Sequence, residues 1–123
     1  MPTKTAIIVE DQEDLAEFFQ ASLHDAGFSP IAICRRGDDA LDKIRESAPT
    51  LVLLDIHLPG MSGIEVLHEI KKDEHLAATY VVILSADDRQ ASTVEDIADL
   101  VLLKPVSYLQ LKTLTERLIS PHE

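Results

Sequence analysis

The amino-acid sequence predicts a single α/β domain built on a doubly wound, five-stranded parallel sheet with helices on both faces. Three observations lead to this fold. Four runs of Val, Ile and Leu lack polar alternation, which is typical of strands covered on both faces in a parallel sheet. Segments with helical spacing separate the runs, and such alternation gives parallel strands joined by right-handed crossovers. Finally, each run ends in a polar group that is capable of chemistry.

These polar groups are predicted to share one edge of the sheet. The runs and the groups that follow them are residues 7–9 with Glu10 and Asp11, residues 51–54 with Asp55, residues 81–84 with Ser85, and residues 100–103 with Lys104. A further strand is predicted at residues 30–34, so strand and helix alternate five times. In parallel strands the carboxyl ends all lie at the same edge of the sheet.

The first two helices have clear boundaries in the sequence. Residues 14–26 carry apolar side chains at offsets of three to four, and Gly27 favours a left-handed end to this helix. Asp38 is predicted to cap the second helix, and Pro49 closes it.

The last three helices differ in the strength of their pattern. Residues 63–72 carry one apolar stripe, and Ser107 is predicted to cap a well-patterned C-terminal helix. Within residues 88–98 only Val94 and Ile97 form a stripe, so the fourth helix is expected to be short or mobile.

Length and composition limit the classes of function. A chain of 123 residues with 46% hydrophobic residues suffices for one core. The 22 acidic residues against 11 basic ones give a net charge of -11, which argues against direct binding to nucleic acid or anionic membranes. Cys34 has no partner for an internal disulfide, and we interpret it as a small buried residue in a reduced, cytoplasmic setting. We expect neither a signal peptide nor a membrane anchor, because no apolar segment approaches the roughly 18 residues that span a bilayer.

The polar groups at the strand ends predict a site for phosphoryl transfer. If the strand order is 2-1-3-4-5, the order reverses between the strands that end at Glu10, Asp11 and Asp55. Neighbouring strands lie about 4.8 Å apart, which places Ser85 on the other side of Asp55, with Lys104 long enough to reach back. Clustered carboxylates with all-oxygen ligands suit Mg²⁺, whereas a hydroxyl and an ammonium group suit a tetrahedral anion. Asp55, at the centre, is the natural acceptor for an acyl phosphate.

Each of these groups also has a purely structural interpretation. Asp11 and its acidic neighbours complement the positive end of a helix dipole, and Asp55 fits ordinary turn chemistry. Ser85 alone fits a helix cap, and Lys104 alone fits a solvated charge. Four such groups at four strand ends favour the functional interpretation.

These motifs resemble those of the receiver domains of two-component response regulators. The resemblance covers residues 4–119 in the flavodoxin-like strand order. No effector domain follows before Glu123, so the chain is either a stand-alone receiver or a piece of a longer protein. Glu10 and Asp11 resemble the acidic pair of this family, and Asp55 resembles its phosphoacceptor.

The resemblance implies a bound Mg²⁺ ion, with Mn²⁺ as an alternative. Asp11 would contact the ion directly and Glu10 through water, together with Asp55 and the backbone carbonyl of His57. The His57 side chain is not expected to be a ligand, because the neighbouring histidines lack ligand spacing. It is instead a candidate for tuning acyl phosphate hydrolysis with pH.

Two further matches and one departure complete the resemblance. Ser85 and Ala86 match the hydroxyl residue and the small residue that leaves room for the phosphoryl group. Lys104 and Pro105 match the family's lysine and the following proline, which implies a cis peptide bond between them. Val101 departs from the family, which commonly has Tyr or Phe there as a rotating switch.

The resemblance also implies partners. A sensor histidine kinase or a phosphotransfer protein, or a small acyl phosphate, would supply the phosphoryl group. A downstream partner would bind the face formed by helix 4, strand 5 and helix 5, and a phosphorylation-dependent homodimer stays open. Enzymatic activity is expected only as self-phosphorylation from a donor and autodephosphorylation.

Two alternatives belong to other functional classes. A phosphohydrolase with an aspartyl nucleophile commonly has a second carboxylate two residues later, where this chain has His57. A degenerate receiver would bind partners without phosphorylation, but the complete set of site residues argues against it.

Overall fold

The computed structural model describes residues 3–120, and its sheet has five parallel strands in the order β2-β1-β3-β4-β5. This confirms the predicted fold class and strand order. The strands are β1 (Ala6–Val9), β2 (Ile31–Cys34), β3 (Leu51–Asp55), β4 (Tyr80–Ser85) and β5 (Leu100–Leu103), and the helices are α1 (Glu13–Asp25), α2 (Gly37–Ser47), α3 (Gly63–Lys72), α4 (Asp88–Ser92) and α5 (Tyr108–Ile119). A short 3-10 helix, Glu74–Leu76, follows α3. No helix in this part of the chain is long and apolar enough to cross a bilayer.

The sheet separates two hydrophobic cores, because successive side chains of a strand point to opposite faces. In β3, Val52 and Leu54 pack in the core that α2 and α3 cover, whereas Leu51 and Leu53 pack in the core that α1 and α5 cover. All four side chains are fully buried. This explains why the inner positions of the central strands are all apolar.

The strand register brings the site residues to one edge. Val9 of β1 lies beside Leu54 of β3, so Glu10 and Asp55 both follow at the same level. Ladder hydrogen bonds continue past the strand ends, since Lys104 N donates to Ser85 O at 2.7 Å. The carboxyl edge of the sheet therefore brings the predicted site residues together.

Most helix boundaries agree with the sequence. Gly27 has a φ of +103° and follows α1 as predicted, and Ser107 caps α5 by accepting a hydrogen bond from Gln110 N. The prediction for Asp38 is wrong, because α2 already begins at Gly37. The Asp38 carboxylate lies in the first turn of α2, where it accepts hydrogen bonds from the Arg36 side chain.

Three other features bear on the sequence predictions, two at the edges of the sheet and one in the fourth helix. Cys34 is only partly buried, contrary to the prediction, because β2 is an edge strand. Leu103 in the opposite edge strand is 46% exposed, although its apolar run predicted burial on both faces. The helix predicted within residues 88–98 is short, and residues 93–98 form turns around the fully buried Val94.

Candidate functional site

Asp55 lies at the end of β3 in direct contact with Lys104. The carboxylate is nearly buried, and Lys104 Nζ lies 3.1 Å from Asp55 Oδ2. The same ammonium group lies 3.4 Å from Glu10 Oε1. Lys104 thus reaches back across β4 from the end of β5, as the sequence predicts.

Glu10, Asp11 and Asp55 form a cluster of carboxylates. One oxygen from each of the three groups lies within 4.8 Å of the others. Glu10 is 1% exposed, whereas Asp11 is open to solvent. Burial raises the pKa of Glu10, and the charge of Asp55 adds to this effect, whereas a hydrogen bond from Gln12 N and the Lys104 ammonium group oppose it. A hard divalent cation fits this donor set, because Mg²⁺ prefers oxygen ligands and tolerates a partly hydrated, open side.

Ser85 is buried at the end of β4, at the predicted edge, but its hydroxyl bonds elsewhere. It donates to Asp87 O at 2.9 Å and accepts from Asp87 N at 3.0 Å. Ala86, the small residue after it, is exposed. The hydroxyl is therefore held by the turn that leads into α4, and it would have to leave that turn to donate to a group on Asp55.

The loop after Asp55 carries His57. This side chain is exposed, and in the described part of the chain it does not belong to the cluster of metal-ligating groups. The loop closes where Gly63 N donates to Ile56 O at 2.8 Å. A capping box between Ser62 and Glu65 then starts α3.

The Lys104–Pro105 peptide bond is cis, as the resemblance implies, and Ser29–Pro30 is also cis, which the sequence did not indicate. Val101 is partly exposed on β5. It lines a surface hollow of about 530 Å³ between β5 and the α4 segment. A larger side chain at position 101 would therefore have space on this side.

Two backbone contacts of the site were not predicted. Gln12 N donates a hydrogen bond to Glu10 Oε2 at 3.1 Å, and Asp87 N donates one to the Ser85 hydroxyl. Both contacts join residues two apart in the chain, and the contact of Ser85 is of the kind that short polar side chains make in turns. The sequence signal for both was a polar residue at the end of a predicted strand.

A parallel doubly wound sheet with an acidic cluster, a buried aspartate and a lysine at its carboxyl edge defines a class of signalling domain that accepts phosphoryl groups. Residues 6–116 match the family model of the response regulator receiver domain, and the chain belongs to this family. Receiver domains interact with histidine kinases and with downstream effectors.

Two curated relatives are similar in sequence. The polar-differentiation response regulator DivK of Brucella ovis is 40% identical over 84 residues, which is 68% of this chain and 68% of that protein. The uncharacterized transcriptional regulatory protein YkoG of Bacillus subtilis is 42% identical over 82 residues, or 67% of this chain. The aligned segment spans only 35% of YkoG, so activities of that whole protein do not carry over.

Solved structures give the same fold. A DNA-binding response regulator of the LuxR family from Staphylococcus aureus superposes with a TM-score of 0.78 at 32% identity, covering 94% of this chain and 98% of that one. The chemotaxis response regulator CheY4 of Vibrio cholerae has a TM-score of 0.83 at 20% identity, covering 96% of this chain and 100% of that chain, which shows the shared fold alone.

Proposed function

We propose that Asp55 accepts a phosphoryl group, in the presence of Mg²⁺ or Mn²⁺, and that phosphorylation changes the binding of a partner. The donor is a phosphohistidine of a sensor kinase or phosphotransfer protein, or a small acyl phosphate. The observation that carries this proposal is the position of Asp55 between a lysine ammonium group at 3.1 Å and the carboxylates of Glu10 and Asp11. Three acidic groups and one cation fit a phosphoryl group that arrives with a divalent ion.

The chemical step is a displacement at phosphorus. An oxygen of the Asp55 carboxylate attacks, a P–O bond forms, and the bond from phosphorus to the donor nitrogen or oxygen breaks. The leaving group keeps the electron pair and takes a proton when its basicity requires one. Lys104 shifts from Asp55 Oδ2 to an oxygen of the transferred group and neutralises its charge, and Ser85 exchanges its bonds to Asp87 for a bond to another oxygen.

Glu10, Asp11, Asp55 and the backbone carbonyl of His57 are proposed to hold the divalent ion. The ion supplies the positive charge that allows a phosphate dianion to approach three carboxylates. Burial raises the pKa of Glu10, so ionisation of this carboxylate is costly. A nearby divalent cation would stabilise the ionised form and offset this cost.

The donor is proposed to approach beside Lys104. A mostly apolar hollow of about 290 Å³ opens there, lined by Leu15, Phe19, Lys104, Pro105 and Val106. Phe18, on the outer side of α1, is 38% exposed and enlarges the apolar surface. A helix of a donor protein that packs on this surface would bring its phosphohistidine to the carboxyl edge.

The downstream partner is proposed to bind the face formed by α4, β5 and α5. This face contains the partly exposed Leu100 and Val101 and the 46% exposed Leu103, beside the hollow next to α4. Ser85 links the site to this face, because the turn that its hydroxyl stabilises leads directly into α4. Homodimerisation through the same face is a second use that gel filtration of the phosphorylated protein would detect.

Intact-mass spectrometry tests the proposed function. The wild type, Asp55→Asn and Asp42→Asn are incubated with acetyl phosphate and Mg²⁺, with EDTA as a metal-free control. Asp42 is an exposed aspartate of α2, so its substitution is a matched change away from the site. We expect one phosphoryl group on the wild type and on Asp42→Asn, and none on Asp55→Asn or with EDTA. Equal labelling of Asp55→Asn would refute the assignment, and repeated turnover of an aryl phosphate would favour a phosphohydrolase.

A further inference from the structure

The corner between β2 and α2, residues 36–38, packs against the loop that follows Asp55. Gly37 N donates a hydrogen bond to Pro59 O at 3.0 Å. The Cα of Gly37 lies so close to the Met61 carbonyl group that a Cβ at this position would overlap its oxygen. Gly37 is buried, and only a residue without a side chain allows this approach.

The same corner covers a second glycine of the loop. Gly60 has a φ of +82°, a conformation that residues with a side chain rarely adopt. A Cβ on Gly60 would overlap the Asp38 carboxylate, which Arg36 holds through two hydrogen bonds of 3.0 and 3.1 Å. Two backbone segments from neighbouring units of the fold are thus fitted together through two glycines.

The loop itself, residues 56–62, is closed at its base. Gly63 N donates to Ile56 O, and a Cβ on Gly63 would overlap the Asp55 carbonyl oxygen. The loop therefore has two fixed points, its base beside Asp55 and its outer turn at Pro59 and Met61. His57 lies between these points.

We infer that Gly37 is a positioning residue that fixes the loop of residues 56–62 against α2 and thereby sets the affinity of the site for its divalent cation. This inference rests on the proposed function, because it takes the His57 carbonyl and the Asp55 carboxylate as ligands. Gly37 touches neither ligand and acts through Pro59 and Met61. Groups that orient metal ligands from outside typically change metal affinity by about 10–100-fold when they are disturbed.

Gly37→Ala separates positioning from a general loss of stability. Alanine is a better helix former than glycine, so helix propensity does not disfavour the substitution, and any loss comes from the overlap with Met61. Gly27→Ala is the matched control. Gly27 has a φ of +103° and lies near the amino ends of the strands, so its substitution strains the fold away from the site.

The experiment measures four quantities for the wild type and both variants. Calorimetry gives the affinity for Mg²⁺ alone, and urea unfolding gives stability. Amide chemical shifts of residues 56–62 without metal report the loop, and mass spectrometry over time gives the rate of phosphorylation. For Gly37→Ala we expect about tenfold weaker Mg²⁺ binding and shifted loop amides. The rate of phosphorylation at saturating Mg²⁺ should stay within about twofold of the wild type. Gly27→Ala should bind Mg²⁺ like the wild type despite lower stability.

Two results would overturn the inference. One is wild-type Mg²⁺ affinity in Gly37→Ala, and the other is an equal loss of affinity in Gly27→Ala. If Gly37→Ala does not fold, Asp38→Ala decides, since it removes the half-exposed ion pair over Gly60 and the hydrogen bond from Asp39 N but leaves the glycines of the corner unchanged. It should weaken Mg²⁺ binding by up to about tenfold, and unchanged affinity would refute the positioning role of this corner. A different result would refute the proposed function, namely phosphorylation of Asp55→Asn.

Discussion

The segments that follow β3 and β4 are built differently, although each begins beside the same site. After β3, the loop is tied by Gly63, and α3 begins with a capping box and buries Val66, Leu67 and Ile70. After β4, α4 has only five residues and is followed by turns. Ala91 is the only buried residue of this helix. Val94 is the one fully buried residue of the turns that follow, residues 93–98.

This difference separates two tasks. The α3 side holds the proposed acceptor and the proposed metal ligands in place, as chemistry that depends on positioning requires. The α4 side contains Ser85, whose hydroxyl is bound to the turn before α4. Under the proposed function this hydroxyl changes partners on phosphorylation. A segment with few buried contacts can rearrange at low cost, so the weaker side is suited to transmit the signal.

Amide hydrogen exchange should show the largest difference between the two sides. We expect the buried amides of α3 to exchange about a hundredfold more slowly than those of residues 93–98, because short turns open locally. Two-dimensional NMR after transfer to D₂O measures both segments in one sample. Equal protection would contradict the comparison.

A matched pair of core substitutions should show the same difference in stability. Val66 and Val94 are both fully buried, one in α3 and the other in the α4 segment. We expect Val66→Ala to lower the free energy of unfolding by about 2–3 kcal/mol, and Val94→Ala by only about 1 kcal/mol, since the turns can collapse into the space. Urea unfolding at pH 7 measures both values. A larger loss of stability for Val94→Ala than for Val66→Ala would contradict the view that the α4 side is the weaker of the two.

The pH dependence of stability tests the electrostatics of the site. The folded protein raises the pKa of Glu10 above its ordinary value of 4.5, mainly through burial. Ionisation of Glu10 therefore costs stability as the pH rises through the raised pKa, and this cost is absent below about 4.5. Without metal, Glu10→Gln should be more stable than the wild type at pH 7, with the difference shrinking toward pH 4.5. Glu17→Gln, an exposed control on α1, should show no such trend. A less stable Glu10→Gln at pH 7 would show that the ion pair with Lys104 outweighs burial.

The smallest expected effect concerns Val101. Valine is stiff at χ1 and too small to move between buried and exposed positions, so the response of the α4, β5 and α5 face should be weaker than that around Asp55 and Ser85. Amide chemical shifts with and without beryllofluoride and Mg²⁺ measure both regions. Val101→Phe, whose ring has space in the adjoining hollow, should enlarge the response of the face. Shifts on that face as large as those at the site in the wild type would show that coupling does not need a ring.

The sequence predicted those parts of the molecule that depend on local pattern. Apolar runs and helix signals determined the strands and their order of alternation, and the register of parallel strands then brought Glu10 and Asp55 together. It did not predict the exposure of Leu103, because an apolar run has the same pattern in an edge strand as in a central one. The sequence also did not predict the contact of Gly37 with Met61, because only the tertiary fold brings these two segments together.

The most direct test of the central claim locates the phosphoryl group itself. Borohydride reduces an aspartyl phosphate to homoserine, so peptide sequencing after reduction identifies the modified aspartate. After incubation with acetyl phosphate and Mg²⁺, we expect homoserine in place of Asp55 and unchanged aspartate at Asp11. Homoserine at another position, or none in protein that carries the added mass of a phosphoryl group, would contradict the assignment of Asp55 as the acceptor.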